Sequence, residues 1–157
     1  AERDAELADR SRAEYATVTL EARLMASEGR SVALDLAGAG RVTGELRRVG
    51  SGWCLVTGVG RDWLVPTGSV EAAAGLSDRA VPEVAWSAVA RLGLSSALRR
   101  LADEGVPCVL LTRTGTRYDG VLLRVGQDFV ETQSDGERPQ RVLVALRSIA
   151  AVQSRQD

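Results

Sequence analysis

The chain contains no lysine, no histidine and no asparagine, and Ile149 is its only isoleucine. All twenty basic residues are therefore arginine. Alanine, arginine, glycine and valine fill the vacated places, which is the bias of GC-rich coding. Arginine here reflects codon supply as well as chemistry, so no single arginine counts as a phosphate fork on its own. Without histidine the commonest general base and metal ligand are gone. No Ser-His-Asp or Cys-His set can be assembled, and no P-loop or dinucleotide fingerprint occurs. The expectation is a non-enzymatic protein with no cofactor and no bound metal.

Cysteine is also scarce. Cys54 and Cys108 are the only two, and a zinc site needs about four ligands. Both lie in strand-like runs and read as small buried hydrophobes. Long apolar runs are missing. Cys108-Val109-Leu110-Leu111 is far shorter than the roughly 20 residues of a membrane-spanning helix, so no membrane partner is expected. Residues Ala1 to Arg10 are charged and lack an apolar signal core, which points to a cytoplasmic protein. The chain opens on Ala rather than Met, which leaves room for a preceding segment. Net charge is −1 and the isoelectric point about 5.6. Bulk electrostatic capture of nucleic acid needs a strong basic excess, so DNA is not an expected partner.

What is present is a repeat. Gly44-Glu45-Leu46-Arg47-Arg48-Val49-Gly50-Ser51-Gly52-Trp53 returns as Gly120-Val121-Leu122-Leu123-Arg124-Val125-Gly126-Gln127-Asp128-Phe129, 76 positions later. The shared pattern is Gly-x-Leu-x-Arg-Val-Gly-x-x-aromatic. Both copies follow a helix-like stretch ending in Glu-Gly, at Glu28-Gly29 and Glu104-Gly105. Matched flanks mark a duplicated unit of about 60–75 residues.

Residues Glu2 to Ala16 suit a helix with a thin apolar stripe of Leu7, Ala8 and Tyr15. Thr19 caps a second helix from Leu20 to Ser27, ended by Gly29. Five short strands follow, joined by glycine-rich turns: Ser31 to Leu36, Val42 to Val49, Trp53 to Thr57, Asp62 to Pro66 and Val70 to Ala73. Pro82 opens a helix from Glu83 to Leu92, with Trp86 and the Val84/Val89 face turned against the rest of the protein. Ser95 caps a helix through Ala102. The second set of strands runs Cys108 to Thr112, Tyr118 to Val125, Phe129 to Gln133, Arg141 to Leu146 and Ile149 to Gln153. Short strands with glycine-rich turns argue for small barrels. The expected fold class is mainly β with helices: two tandem SH3-like five-stranded barrels, each preceded by a helix, plus an N-terminal helix. The expected divisions are 1–18 (N-terminal extension), 19–76 (first barrel), 77–93 (linker helix) and 94–154 (second barrel).

The second unit resembles the Sm/LSm fold, and its Hfq-type bacterial members in particular. The resemblance is carried by Thr114-Gly115, by Gly120-x-Leu122-x-x-Val125, and by Val144-Ala145-Leu146-Arg147-Ser148-Ile149-Ala150-Ala151-Val152. A more degraded copy in the first unit keeps Gly44-x-Leu46-x-x-Val49 and Val65-Pro66-Thr67-Gly68-Ser69-Val70. The whole chain also resembles an actinobacterial group of tandem proteins sometimes labelled Fis-type regulators. That label implies a recognition helix, and the C-terminal half reads as strand. Family members hold uridine with an Asp, an Asn and a corner Arg. Here Gly50 and Gly126 stand for the Asp, and Cys54 and Val130 for the Asn. Arg147 matches the corner Arg, and Gly68 replaces it in the first unit.

Two functional readings follow. The resemblance implies association through the open edges of the fourth and fifth strands, so the first is a protein-interaction or scaffolding adaptor. Neutral charge and the acidic N-terminal helix (Glu2, Asp4, Glu6, Asp9) favour it, with a protein partner or self-association. The second is a weak or selective RNA binder using Arg124, Arg141 and Arg147 of the second unit. Trp53 and Phe129, at matching repeat positions, read as structural aromatics, with base stacking as the alternative. Trp86 reads as a contact between the halves, and Trp63 as similar or exposed. Arg47-Arg48 and Arg99-Arg100 read as solvated faces.

Overall fold

A computed structural model describes residues 2–155; residue 1 of the expected N-terminal extension lies outside that span. The chain is mainly β, with a single open antiparallel sheet of ten strands and three helices. Helix α1 (Glu2–Tyr15) buries none of its residues. Helix α2 (Leu20–Met25) is capped by Thr19, whose hydroxyl accepts from the Ala22 amide at 3.1 Å. Helix α3 (Leu94–Glu104) ends on Gly105 in the left-handed conformation, which costs glycine no steric penalty.

The first half contributes β1 (Ser31–Leu36), β2 (Gly40–Gly50), β3 (Trp53–Gly58), β4 (Arg61–Pro66) and β5 (Val70–Ala74). The second contributes β6 (Cys108–Thr112), β7 (Arg117–Val125), β8 (Phe129–Ser134), β9 (Arg141–Ala145) and β10 (Ile149–Arg155). The sheet runs β5-β1-β2-β3-β4-β10-β6-β7-β8-β9. Each half thus contributes five strands in the same order, last strand first. Among the described residues no ladder joins β5 to β4 or β10 to β9.

The repeated motif has a physical explanation at each of its glycines. A Cβ on Gly44 would stand 2.4 Å from the Thr57 carbonyl oxygen, and one on Gly120 would stand 1.8 Å from that of Gln133. Only glycine lets β2 and β7 approach the next strand so closely. A Cβ on Gly50 would meet the Trp53 ring at 2.3 Å, and one on Gly126 the Phe129 ring at 2.4 Å. Both aromatics therefore lie across the glycine three positions earlier. The ladder slips by one residue between Leu46 and Arg48 and again between Leu122 and Arg124. These equivalent bulges bend the long second strand of each half. The duplication extends even to its irregularities.

The linker departs from expectation. Glu83–Leu92 does not form an α-helix; Glu83–Ala85 and Val89–Arg91 are single 3-10 turns in an otherwise extended crossing. Val84 and Val89 are 84% and 68% exposed, so no surface covers them. Trp86 is the buried residue of the segment, and its Nε1 donates to the Val81 carbonyl at 2.8 Å. A helical stripe was legible in the spacing, but no facing surface exists to reward it. Helix α3 begins at Leu94, with Gly93 rather than Ser95 at its cap.

Two apolar clusters form the core, and each borrows from the other half. Leu24, Leu34, Leu46, Val56 and Trp86 are joined by Ala151 of β10. Leu98, Leu110, Leu122, Val130 and Ile149 are joined by Trp53 and Leu64 of the first half.

Candidate functional site: the internal seam and the open edges

The halves meet where β4 pairs with β10. Leu64 stands opposite Val152, Trp63 opposite Gln153, Asp62 opposite Ser154 and Arg61 opposite Arg155. Around this ladder the loops lock together. The Ser69 hydroxyl donates to the Ala150 carbonyl at 2.7 Å, and a Cβ on Gly38 would stand 2.4 Å from the carbonyl oxygens of Thr112 and Arg113. Trp53 donates its Nε1 to the Leu92 carbonyl at 2.8 Å, tying the first half to the linker.

At the two ends of the sheet the same strand types are unpaired. The outer sides of β5 and β9 carry no strand partner among the described residues. An open edge presents free backbone donors and acceptors that pair readily with another chain. The register fixes which residues correspond. Leu64 pairs with Leu55 in the first half, and Leu143 pairs with Glu131 in the second. Leu64 is 4% exposed because β10 covers it, whereas Leu143 is 61% exposed on the uncovered edge. Where Leu55 packs against the second cluster, Glu131 instead pairs with Arg124.

Beside the β5 edge lies a groove of about 450 Å³, lined by Val18, Leu20, Ala73 and Leu76 together with Tyr15, Arg23 and Glu71. Arg23 is held in place: its guanidinium donates to the Ser77 carbonyl at 2.6 and 3.0 Å and to the Tyr15 hydroxyl at 3.0 Å. The hydrophobic residues Leu20 and Tyr15 are 41% and 60% exposed there.

The three arginines singled out from sequence are not gathered. Arg124 lies near the end of β7 and is committed to Glu131. Arg141 opens β9 opposite Gln133, while Arg147 occupies the corner turn beyond the other end of that strand. The five-residue strand between them spans about 13 Å, and the turn carrying Arg147 follows it. Arg147 is exposed. Sequence reading missed Arg113, whose guanidinium stands 2.9 Å from where Gly68 would carry a Cβ. The second half thus places an arginine over the corner where the first half has Gly68. Its position in a β-turn of the other repeat gave no sequence signal.

The aromatics divide into two kinds. Trp53 and Trp86 are buried, each with a satisfied indole N–H. Trp63 is half-buried against the first cluster, and Phe129 half-buried against Gly126. Arg47, Arg48, Arg99 and Arg100 are exposed. Both thiols are buried, and burial pushes Cys54 up to about 12 and Cys108 up to about 11, the latter with help from the nearby Glu104 charge. Such thiols are inert at neutral pH. Among the described residues no cluster of acids and cysteines could hold a metal ion, and no helix is long and apolar enough to cross a membrane.

No protein-family model matches the chain, and no curated protein matches it in sequence. The surfaces above are therefore read on their own chemistry.

Proposed function

We propose that the chain is a non-enzymatic interaction module, a scaffold or adaptor built from two tandem Sm-like barrels, which docks protein through its open sheet edges. The observation that carries this reading is Leu143. It is a large apolar side chain, 61% exposed on an unpaired strand, at the repeat position where the other half buries a leucine under a paired strand. Exposed flat edges are normally blunted by charge or proline, and β9 has only Arg141 at its start. The test is a photo-crosslinking residue at position 143 in the full chain, compared with one at the fully exposed turn residue Val59. Discrete crosslinked protein at 143, absent at 59, supports the reading; equal or no crosslinking at both overturns it.

A second reading, selective RNA binding through the second half, is favoured by one observation: Arg113 and Arg147 stand on neighbouring turns of that half, joined where the Arg113 amide donates to the Ser148 carbonyl at 2.9 Å, and both are exposed. Few cations converge there, so the salt slope should be shallow, about 0.7–0.9 log units per phosphate neutralised. Titration of single-stranded RNA at low and physiological salt tests it. Arg147→Ala should remove most of the binding; binding that survives the substitution excludes this corner.

A further inference from the structure

The two equivalent bulges differ in charge. In the second half Arg124 stands opposite Glu131 and pairs with it, and the extra bulge residue is Leu123. In the first half Arg48 stands opposite Leu55, and the extra residue is Arg47. One bulge is neutral; the other carries two positive charges and no acid. Among the described residues neither Arg47 nor Arg48 makes a side-chain hydrogen bond or salt bridge, and Arg48 feels only the nearby Glu28 charge. Both arginines are exposed.

This bulge opens on a cleft of about 990 Å³ formed by both halves and the linker. Clefts of several hundred Å³ between structural units are ordinary places for a ligand. Its apolar surface comes from Leu55, Leu64 and Leu101 and from the linker residues Val89 and Leu92, which are 68% and 50% exposed. Arg100 of α3 and Arg155 of β10 join Arg47 and Arg48 on the lining, which also holds Glu28, Asp62 and Glu104. Asp62 already accepts from the Thr57 hydroxyl at 3.0 Å. Polar and apolar surfaces are interleaved, and four arginines against three acids leave a small positive excess. Such an excess is too little to hold a chain of phosphates, which binds by neutralising several charges at once. It suits a ligand that carries a carboxylate beside aliphatic groups.

We propose that this cleft binds an acidic peptide of a partner protein, one carboxylate of which sits at Arg48 as Glu131 sits at Arg124, with aliphatic neighbours laid on Leu55, Val89 and Leu92. The site goes beyond edge docking, because its lining takes no residue from β5 or β9. The second half shows the arrangement in its closed form: Glu131 is 7% exposed and partnered by Arg124. Leu55 has no oxygen to offer, so the guanidinium opposite it is left to a carboxylate from outside, the acceptor that an arginine fork matches best. The exposed linker side chains gain by being covered in the same event.

The test titrates the full chain with a labelled ten-residue peptide of glutamate, leucine and serine, and with the same peptide carrying glutamine in place of glutamate. The glutamate peptide should bind about tenfold more tightly, because hydrogen bonds to a charged acceptor are roughly twice as strong as neutral ones. The preference should shrink with added salt, since the arginines are exposed to solvent. Arg48→Gln should erase it, whereas Arg138→Gln, a change at an exposed residue outside the cleft, should leave it intact. Leu55→Glu supplies from within the acid that the first half lacks, and should block the peptide as effectively as Arg48→Gln. If Leu55→Glu does not fold, Arg48→Gln decides alone, since it alters only an exposed side chain. Equal affinity for the two peptides, a preference that survives Arg48→Gln, or no binding at millimolar peptide overturns the inference. So does a single-stranded RNA ten-mer that binds more tightly than the glutamate peptide and is released by Arg48→Gln, which would make the cleft an RNA site.

Discussion

Leu64 and Leu143 occupy the same place in two copies of one unit, and their surroundings are opposite. Leu64 lies under β10 within an apolar cluster, whereas Leu143 projects from an unpaired strand. The same contrast recurs at the corners, where Gly68 sits beneath Arg113 and Arg147 stands in solvent. The first half is covered along β4, and the second half is uncovered along β9. Position in the repeat sets what a residue can do; the neighbouring half decides whether it stabilises the fold or faces outward.

The largest test of this contrast uses the paired aromatics. Trp53→Ala removes a buried ring and its hydrogen bond to Leu92, and should cost about 3–5 kcal/mol. Phe129→Ala removes a half-buried ring with no such bond, and should cost less, about 1.5–3 kcal/mol. Chemical denaturation of the two variants reads the difference; equal losses would show that the two halves rely on their aromatics alike.

Leu64→Ala against Leu143→Ala comes next. The first opens a cavity at the seam, with an expected loss of about 2–5 kcal/mol. The second trims an exposed side chain and should stay within about 0.5 kcal/mol at dilute protein. For a chain of this size each kcal/mol moves the melting temperature by about 2–4 °C, so calorimetry separates the pair easily.

Much of this contrast lies beyond what a sequence can carry. The glycine-aromatic repeat was legible because close approach and ring stacking are local: Gly44, Gly50, Gly120 and Gly126 each answer to a strand or ring a few residues away. Strand identities and order of elements follow from alternation and turns, and nearly every strand lies within two residues of its expected bounds. The linker was misread because Val84, Trp86 and Val89 mimic a helical face, and only tertiary packing reveals that one of the three is buried. The exposure of Leu143 was also invisible. Leu64 and Leu143 both sit in apolar strands, and which strand is covered depends on how the halves meet. Of the candidate arginines, sequence found Arg147 at its corner but not Arg113, which reaches across to Gly68 of the first half.

A smaller difference concerns the thiols. With Cys54 raised to about 12 and Cys108 to about 11, neither should react with a thiol reagent at pH 8 in the folded chain. Both should react once denaturant is added. On slow approach to unfolding, Cys108 should label first, since it is 5% exposed against 0% for Cys54. Simultaneous labelling would mean that both halves open as one unit.

The smallest effect is electrostatic. Partial burial raises the Glu28 carboxyl above its ordinary value, against the opposing pull of Arg48. The folded state then holds this proton more tightly than the unfolded chain. Stability from this group falls as pH rises from the ordinary carboxylate value through the raised one, and is regained on acidification. Glu28→Gln should therefore stabilise slightly at neutral pH, and the gain should vanish as pH falls below the carboxylate range. A gain that persists in acid would assign the effect to packing.

The stretch from Gly75 to Gly93, which crosses α2 and returns to Trp53 through Leu92, does more than connect. It makes one seam intramolecular. A tether of that length holds two surfaces at an effective concentration on the order of millimolar, so the β4–β10 junction is closed at any dilution. An identical junction between separate chains would close only as the protein accumulates. Covalent duplication thus makes the β4–β10 contact permanent.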